Sequence, residues 1–253
     1  MENTKHQAYA QLQKIGHQIT HDIKPKAVVV FSGHWQAGQK SIEVNTAESM
    51  GLIYDFYGFP AHFYDMKYPN RGDPVLANRI LELLGKAGIE AEGVRRGLDH
   101  GVWASFMCAF DPERNPLGVP VVQVSLFDSD SAEQHIALGK ALAPLRDEGV
   151  AIIVSGMAVH NLRDMWKASM QPQPMPYAQS FDKALKEAVE QPVDVREEAM
   201  AGLLKRGDAR KAHPSFDHLL PIYVGAGAAG EDVGRQIYTK PEGSMSWAMY
   251  RFG

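Results

Sequence analysis

The stretch "VVVFSGHWQ", residues 28–36, sets an uninterrupted apolar run directly against Ser32, Gly33, His34 and Trp35. A run this short, rich in β-branched side chains and apolar at both odd and even positions, reads as a strand buried on both faces, 27–31. The Ser-Gly pair then predicts a sharp turn that delivers His34 at the carboxyl end of the strand. The stretch "VAIIVSG", 150–156, repeats the pattern and leads to His160 in "IIVSGMAVH". Two more strands are expected, over 119–127 ("VPVVQVSLF") and 89–94. Helices fall between them. One covers 4–19 with Ala8, Leu12, Ile15 and Ile19 on one face. Another opens at Asp73-Pro74, presents Leu76, Ile80, Leu83 and Leu84, and stops at Gly85 or Gly88. A third spans 132–147, with Ser131 and Gln134 as a capping box and Gly149 closing it. Stretches 178–190 and 194–206 are also helical, and the tail segments "RQIYTK" and "SMSWAMYRF" read as antiparallel strands. This alternation predicts an α/β fold: a single domain over 1–253 whose central, mostly parallel or mixed sheet is covered by helices on both faces. The proline-rich 170–179 is a loop, not a boundary.

Composition narrows the partners. Lys and Arg are outnumbered by acids, giving a net charge of −4 with no basic cluster, so a nucleic-acid partner is not expected. No run approaches the roughly 18 apolar residues of a membrane span, and the polar, helical start does not resemble a secretory signal. The lone cysteine, Cys108, leaves no internal disulfide and fits a reducing compartment, so the expected location is cytoplasmic. Cys108 itself lies in the apolar run "WASFMCAF" and is expected in the core. No glycine-rich phosphate loop, G-x-S-x-G elbow, H-E-x-x-H or C-x-x-C is present, which argues against nucleotide enzymes, serine hydrolases and the familiar zinc peptidases.

The histidines carry the chemistry. His34 and His160 each follow a strand ending in Ser-Gly, at the sheet edge where open α/β sheets bind ligands. Two imidazoles delivered there can share one zinc, iron, copper or nickel ion; each can equally be a polar cap on a strand end. In "GLDHGVW", 97–103, His100 stands between Asp99 and Gly101 in a glycine-flanked loop. An acid beside a histidine can fix its tautomer for proton transfer near neutral pH, and a plain turn is the alternative. In "HPSFDHLLP", 213–221, the five-residue spacing of His213 and His218 does not fit one helix face. One of them as ligand and the other as substrate contact is the functional reading, a solvated loop the other.

Taken together, "VVVFSGHW", "YGFPAHFYDMKYP", "GLDHGVW", "SGMAVHNL" and "HPSFDHLLP" resemble, in this order, the LigB-like class III extradiol ring-cleavage dioxygenases, in particular their 4,5-DOPA extradiol dioxygenase branch. The resemblance runs from about residue 5 to the C-terminus. It implies a mononuclear metal site, Fe(II) for ring cleavage with Zn(II) in some members, and a small catecholic substrate bound together with O2. Carried over by motif, it makes His34, His160 and His218 metal ligands and His100 the acid/base near the ring. His213 is placed at the substrate or just behind the ligands. Gly33 stands where the family has Ala.

The family also opens with a strand ending in Ser-His-Gly-(Gly/Ser)-Pro, whose histidine is a further ligand. The present sequence begins at what corresponds to the first helix. The expectation is that another segment or subunit covers the strand's place, or that the chain is a truncated form; His6, His17 and His21 are the candidates for a substitute ligand. Turnover then depends on what replaces that ligand. Two other readings remain open: a family member that binds without turnover, and a zinc enzyme of another class in the same pocket. Loops 45–60 and 165–180 are expected to shape the pocket, though their side chains carry no readable code. Oligomeric state, a homo-oligomer included, is not fixed by the sequence.

Overall fold

The strand that begins at Ala27 carries no polar side chain until Ser32, so its backbone can satisfy itself only through neighbouring strands on both sides. That is how it lies. The computed structural model describes residues 5–253. In chain order it contains α1 (Gln7–Gln18), β1 (Ala27–Gln36), β2 (Ser41–Asn45), α2 (Pro74–Lys86), β3 (Glu90–Val94), α3 (His100–Ala109) and β4 (Val121–Leu126). There follow α4 (Ala132–Leu142), α5 (Pro144–Asp147), β5 (Val150–Ser155), β6 (Val159–His160), α6 (Met165–Ser169), α7 (Pro176–Val189), α8 (Val193–Leu203), α9 (Ala209–Ala212) and α10 (Pro221–Ala228). Strands β7 (Gly234–Tyr238), β8 (Pro241–Glu242), β9 (Met245–Ser246) and β10 (Met249–Phe252) close the chain. Position 4 of the expected first helix lies outside the described residues.

The chain forms two compact units, one running to Asp128 and including Pro144–Ser155, the other comprising Ser129–Ala143 and Gly156–Gly253. In the first unit five strands are ordered β3-β2-β4-β1-β5. The pairs β1/β4, β1/β5 and β2/β3 are parallel and β2/β4 is antiparallel, so the sheet is mixed and mostly parallel, as expected. Register places Ser32 beside Ser155, so the two Ser-Gly strand ends do lie side by side.

One expectation about β1 fails. The chain does not turn at Ser32-Gly33; it stays extended to Gln36. From Phe31 to Gln36 β1 advances five residues while β4 advances only two, from Val124 to Leu126. The surplus bows β1 away from its neighbour, and a bulge of this kind re-aims side chains without ending the strand. His34 sits on that bow.

The core of this unit joins Val28 and Val30 to Val102, Trp103, Phe106 and Phe110 of α3 and its end. Each such side chain, fully buried, contributes about 1.5–3 kcal/mol of transfer free energy. Helix α1 lies on α3 at Gly16, where a Cβ would come 1.8 Å from the Ala109 carbonyl oxygen, so only glycine permits the approach. Helix α2 forms as expected: Asp73 caps it by accepting from the Val75 and Leu76 amides at 3.0 Å, and Leu76, Ile80, Leu83 and Leu84 are buried. Cys108 is buried in α3, as expected, and burial pushes its thiol pKa up.

Three helix expectations need correction. The 132–147 segment is two helices, because Pro144 cannot donate to the preceding turn and instead starts α5. Residues 194–206 end their helix at Leu203. His100 opens α3 and is not in a loop; α3 is apolar around most of its circumference, so it lacks the one-sided stripe by which helices are recognised.

In the second unit α4 and α10 meet closely at Gly139 and Gly227, where a Cβ would fall 2.0 and 2.1 Å from the Val224 and Ile136 carbonyl oxygens. The buried Arg196 of α8 donates to the carbonyls of Ala226, Gly230 and Asp232, satisfying the end of α10. The tail segments pair antiparallel as expected, β7 with β10, while β9 pairs antiparallel with both β6 and β8. No helix among the described residues is long and apolar enough to cross a membrane.

Candidate active site

In the first unit the sharpest feature is a carboxylate shared by two imidazoles. Asp55 Oδ2 accepts from His34 Nδ1 at 2.7 Å, and Oδ1 accepts from His100 Nδ1 at 2.8 Å. The two rings meet edge to face with centroids 4.2 Å apart. Asp55 Oδ1 also accepts from the His100 backbone amide at 3.0 Å, capping the first free N–H of α3 from a distant loop. An anion is favoured at a helix N-terminus, which adds to the fit. Burial pushes the Asp55 carboxyl pKa up, but the bonds from His100 and His34 outweigh it and hold the group well below the usual carboxylate range. Asp55 is therefore ionised at neutral pH.

The loop that carries Asp55 is fixed along its length. Ile53 N donates to the Leu98 carbonyl at 2.7 Å, and Leu98 N to that of Gly51 at 2.9 Å, a short ladder next to the Leu52–Leu98 bridge. Trp103 Nε1 donates to the Ile53 carbonyl at 2.9 Å, and Tyr54 Oη to that of Met66 at 2.6 Å. The Phe56 ring packs 5.2 Å from that of His100.

Asp99 serves a different purpose. Its side chain is buried and accepts from Ser32 Oγ (2.8 Å), Gln123 Nε2 (2.5 Å) and Arg96 Nη1 (3.0 Å). Through these bonds it ties β1, β4 and the start of α3 together. Gly101 completes the junction, since a Cβ there would come 2.4 Å from Ser32 Oγ and 2.9 Å from His34 Cδ2. The acid beside His100 in sequence is thus not the acid that bonds it.

In the second unit β6 ends on His160, whose ring stacks on that of His218 at 3.9 Å and 10°. The His218 carbonyl accepts from Met157 N at 2.8 Å, and a Cβ on Gly156 would come 2.2 Å from the same oxygen. The glycine after the Ser155 strand end therefore lets the 213–221 segment come close. Here the neighbouring acid does bond its histidine: Asp217 Oδ2 accepts from His218 Nδ1 at 3.0 Å. Burial works against that carboxylate, but His218 and the Ser215 hydroxyl hold its pKa low.

His213 has no solvent exposure, and its Nε2 donates to the Ala158 carbonyl at 2.8 Å. Burial pushes its pKa down to about 4, against the opposing effect of that bond. His6 is the N-cap of α1, its Nδ1 accepting from Ala8 N at 3.2 Å, while His17 and His21 stack on each other at 3.8 Å. None of the three belongs to the His34 cluster.

Sequence reasoning missed Asp55. The available signal was its setting: a lone carboxylate in the aromatic run "YDFYGF" needs a cationic or N–H partner if that run is buried.

Imidazoles and carboxylates gathered at strand and helix ends of a mixed α/β fold define a class of enzyme suited to metal-assisted chemistry. Residues 1–250 match the family described as the catalytic LigB subunit of aromatic ring-opening dioxygenase, and the chain belongs to that family. It is 39% identical over 233 residues to a 4,5-DOPA dioxygenase extradiol of Beta vulgaris, covering 90% of this chain and 83% of that one. It is 34% identical over 217 residues to the protein of the same name in Escherichia coli K12, covering 85% and 76%. The crystal structure of an uncharacterized Escherichia coli K12 protein superposes with a TM-score of 0.78 at 30% identity, over 97% of this chain and 92% of that chain.

Proposed function

We propose that the protein is a metal-dependent extradiol dioxygenase that opens a small catechol ring, a DOPA-like one by analogy with its named relatives, both atoms of O2 entering the product. The observation that carries this reading is the joining of the His34 and His100 motifs on one carboxylate, in a chain that belongs to a ring-opening family. The residues fit a divalent ion: His34 stands in a cluster with Asp55 and His100 whose ligand-type atoms lie within 4.8 Å of one another, and an imidazole oriented by a carboxylate suits Fe(II) and Zn(II). On the motifs, His34, His160 and His218 would be the ligands. When bound, Fe(II) supplies a centre with open positions at which catechol and O2 come together and exchange electron density.

The protein's own groups do the rest. His100, held at Nδ1, takes a catechol hydroxyl proton at Nε2 and can return it later. Phe56 packs edge to face against that imidazole and limits its contact with water on one side. His213, neutral in its dry site, fixes the Ala158 backbone ahead of His160. The lone buried thiol of Cys108 supports a cytoplasmic location.

The test is anaerobic loading with Fe(II), addition of DOPA or protocatechuate, and measurement of O2 uptake and the yellow ring-opened product. Uptake with a stoichiometric yellow product is expected. No turnover of either catechol, with tight zinc binding, would overturn the reading, and undiminished metal in His218→Ala would remove that ligand.

A further inference from the structure

The Asp55 carboxylate accepts hydrogen bonds and, ionised, has no proton to donate. Each ring nitrogen facing it must therefore carry the proton. His34 presents Nδ1 to one oxygen at 2.7 Å and His100 presents Nδ1 to the other at 2.8 Å. These are charge-assisted hydrogen-bond lengths. Two ligands of one tetrahedral ion at ~2.1 Å would stand roughly 3.4 Å apart, so a shared ion between these atoms fits less well. We propose that Asp55 is a positioning residue that sets the tautomer of both histidines at once, placing N–H on Nδ1 and the lone pair on Nε2 in His34 and in His100.

The use of that arrangement rests on the function proposed above. A metal ligand and a proton acceptor both need the Nε2 lone pair, and one carboxylate prepares both. Outer partners of this kind orient ligating imidazoles and raise their basicity. The bonds that pin the 51–56 segment keep the carboxylate in place, so little reorganisation is required when metal or substrate arrives.

The two oxygens are not equivalent. Oδ1 also accepts from the His100 backbone amide at 3.0 Å, a donor that cannot change. In Asp55→Asn the carbonyl oxygen must stay on the His100 side, because the reverse amide orientation would set NH2 against a backbone N–H. The NH2 then faces His34. His34 must turn its Nδ1 into an acceptor and move its proton to Nε2, whereas His100 keeps its tautomer.

Long-range 15N–1H spectra of the metal-free protein, taken above the imidazole titration range, read this directly. In the wild type His34 and His100 should both show Nδ1–H, while His213, bonded through Nε2 to a carbonyl, shows the opposite pattern and serves as internal standard. In Asp55→Asn only His34 should switch, His213 reporting that the fold is kept. Zinc affinity should fall about 10- to 100-fold in that variant. An Nε2–H signal from either His34 or His100 in the wild type would overturn the proposal, and so would an unchanged His34 in a folded Asp55→Asn. The wild-type spectrum decides even if the variant does not fold. Because the tautomers are read without iron, catechol or turnover, their failure is distinct from failure of the dioxygenase reading.

Discussion

Asp-His occurs twice in functional segments of this chain, as Asp99-His100 and as Asp217-His218, and the two pairs are built in opposite ways. At 217–218 the carboxylate bonds the imidazole that follows it, at 3.0 Å. At 99–100 the two side chains diverge: Asp99 goes inward to Ser32, Gln123 and Arg96, and His100 goes outward to Asp55. The cause is local. Asp99 precedes the first turn of a buried helix and is itself fully buried, so its charge needs strong donors from neighbouring strands. Asp217 is a quarter exposed, and water can share its solvation. Identical dipeptides thus supply a structural anchor in one place and a local histidine partner in the other.

Removing the anchor tests this contrast most severely. Asp99→Ala leaves the Arg96 guanidinium and the Gln123 amide without their common acceptor and frees the bowed end of β1. Breaking a buried pair in this way typically costs about 3–5 kcal/mol, a large part of a domain's whole stability. Urea unfolding should show that loss, with Asp55 and His100 intact. A cost below about 1 kcal/mol, within the range of surface pairs, would mean that Asp99 anchors nothing.

The histidines differ as their acids do. His100 is partly exposed and bonded to a carboxylate, whereas His213 is buried and bonded to a carbonyl. His213 titrates near 6.5 when unfolded and at about 4 when folded. Between these values the unfolded chain holds the extra proton. Its contribution is therefore complete above 6.5 and is lost as pH falls toward 4, by about 3 kcal/mol at 1.36 kcal/mol per pH unit. Urea midpoints of the wild type against His213→Gln across this window should converge as pH falls. Parallel curves would show that His213 is not held neutral by the fold.

These contrasts explain what could be read in advance. The sheet was legible because 28–31 and 150–154 are apolar at every position, and the Ser32–Ser155 pairing follows from two matching strand ends. Helix α2 was legible from Asp73-Pro74 and its stripe. Helix α3 was not, because it is apolar around most of its circumference and so shows no one-sided stripe. The histidines were found by motif, but Asp55 was not: its setting in "YDFYGF" calls for a donor without saying which, and the bond to His100 spans 45 residues. The extension of β1 to Gln36 was hidden for a related reason: Ser-Gly normally marks a turn, and only the bonds from Ser32 and the bulge against β4 keep the chain extended.

The smallest effect is expected at Asp217. Asp217→Ala removes bonds from His218 Nδ1 and from Ser215 Oγ, at 3.0 and 2.8 Å. Both donors lie near solvent that can replace the carboxylate, and the ring of His218 remains stacked on His160. A partly exposed bond of this kind contributes about 0.5–1.5 kcal/mol, several-fold less than the anchor at Asp99. Thermal unfolding of the two alanine variants side by side decides the matter. A loss at Asp217 equal to that at Asp99 would show that burial does not separate the pairs, and His218 would then depend on its neighbouring acid as tightly as β1 depends on Asp99.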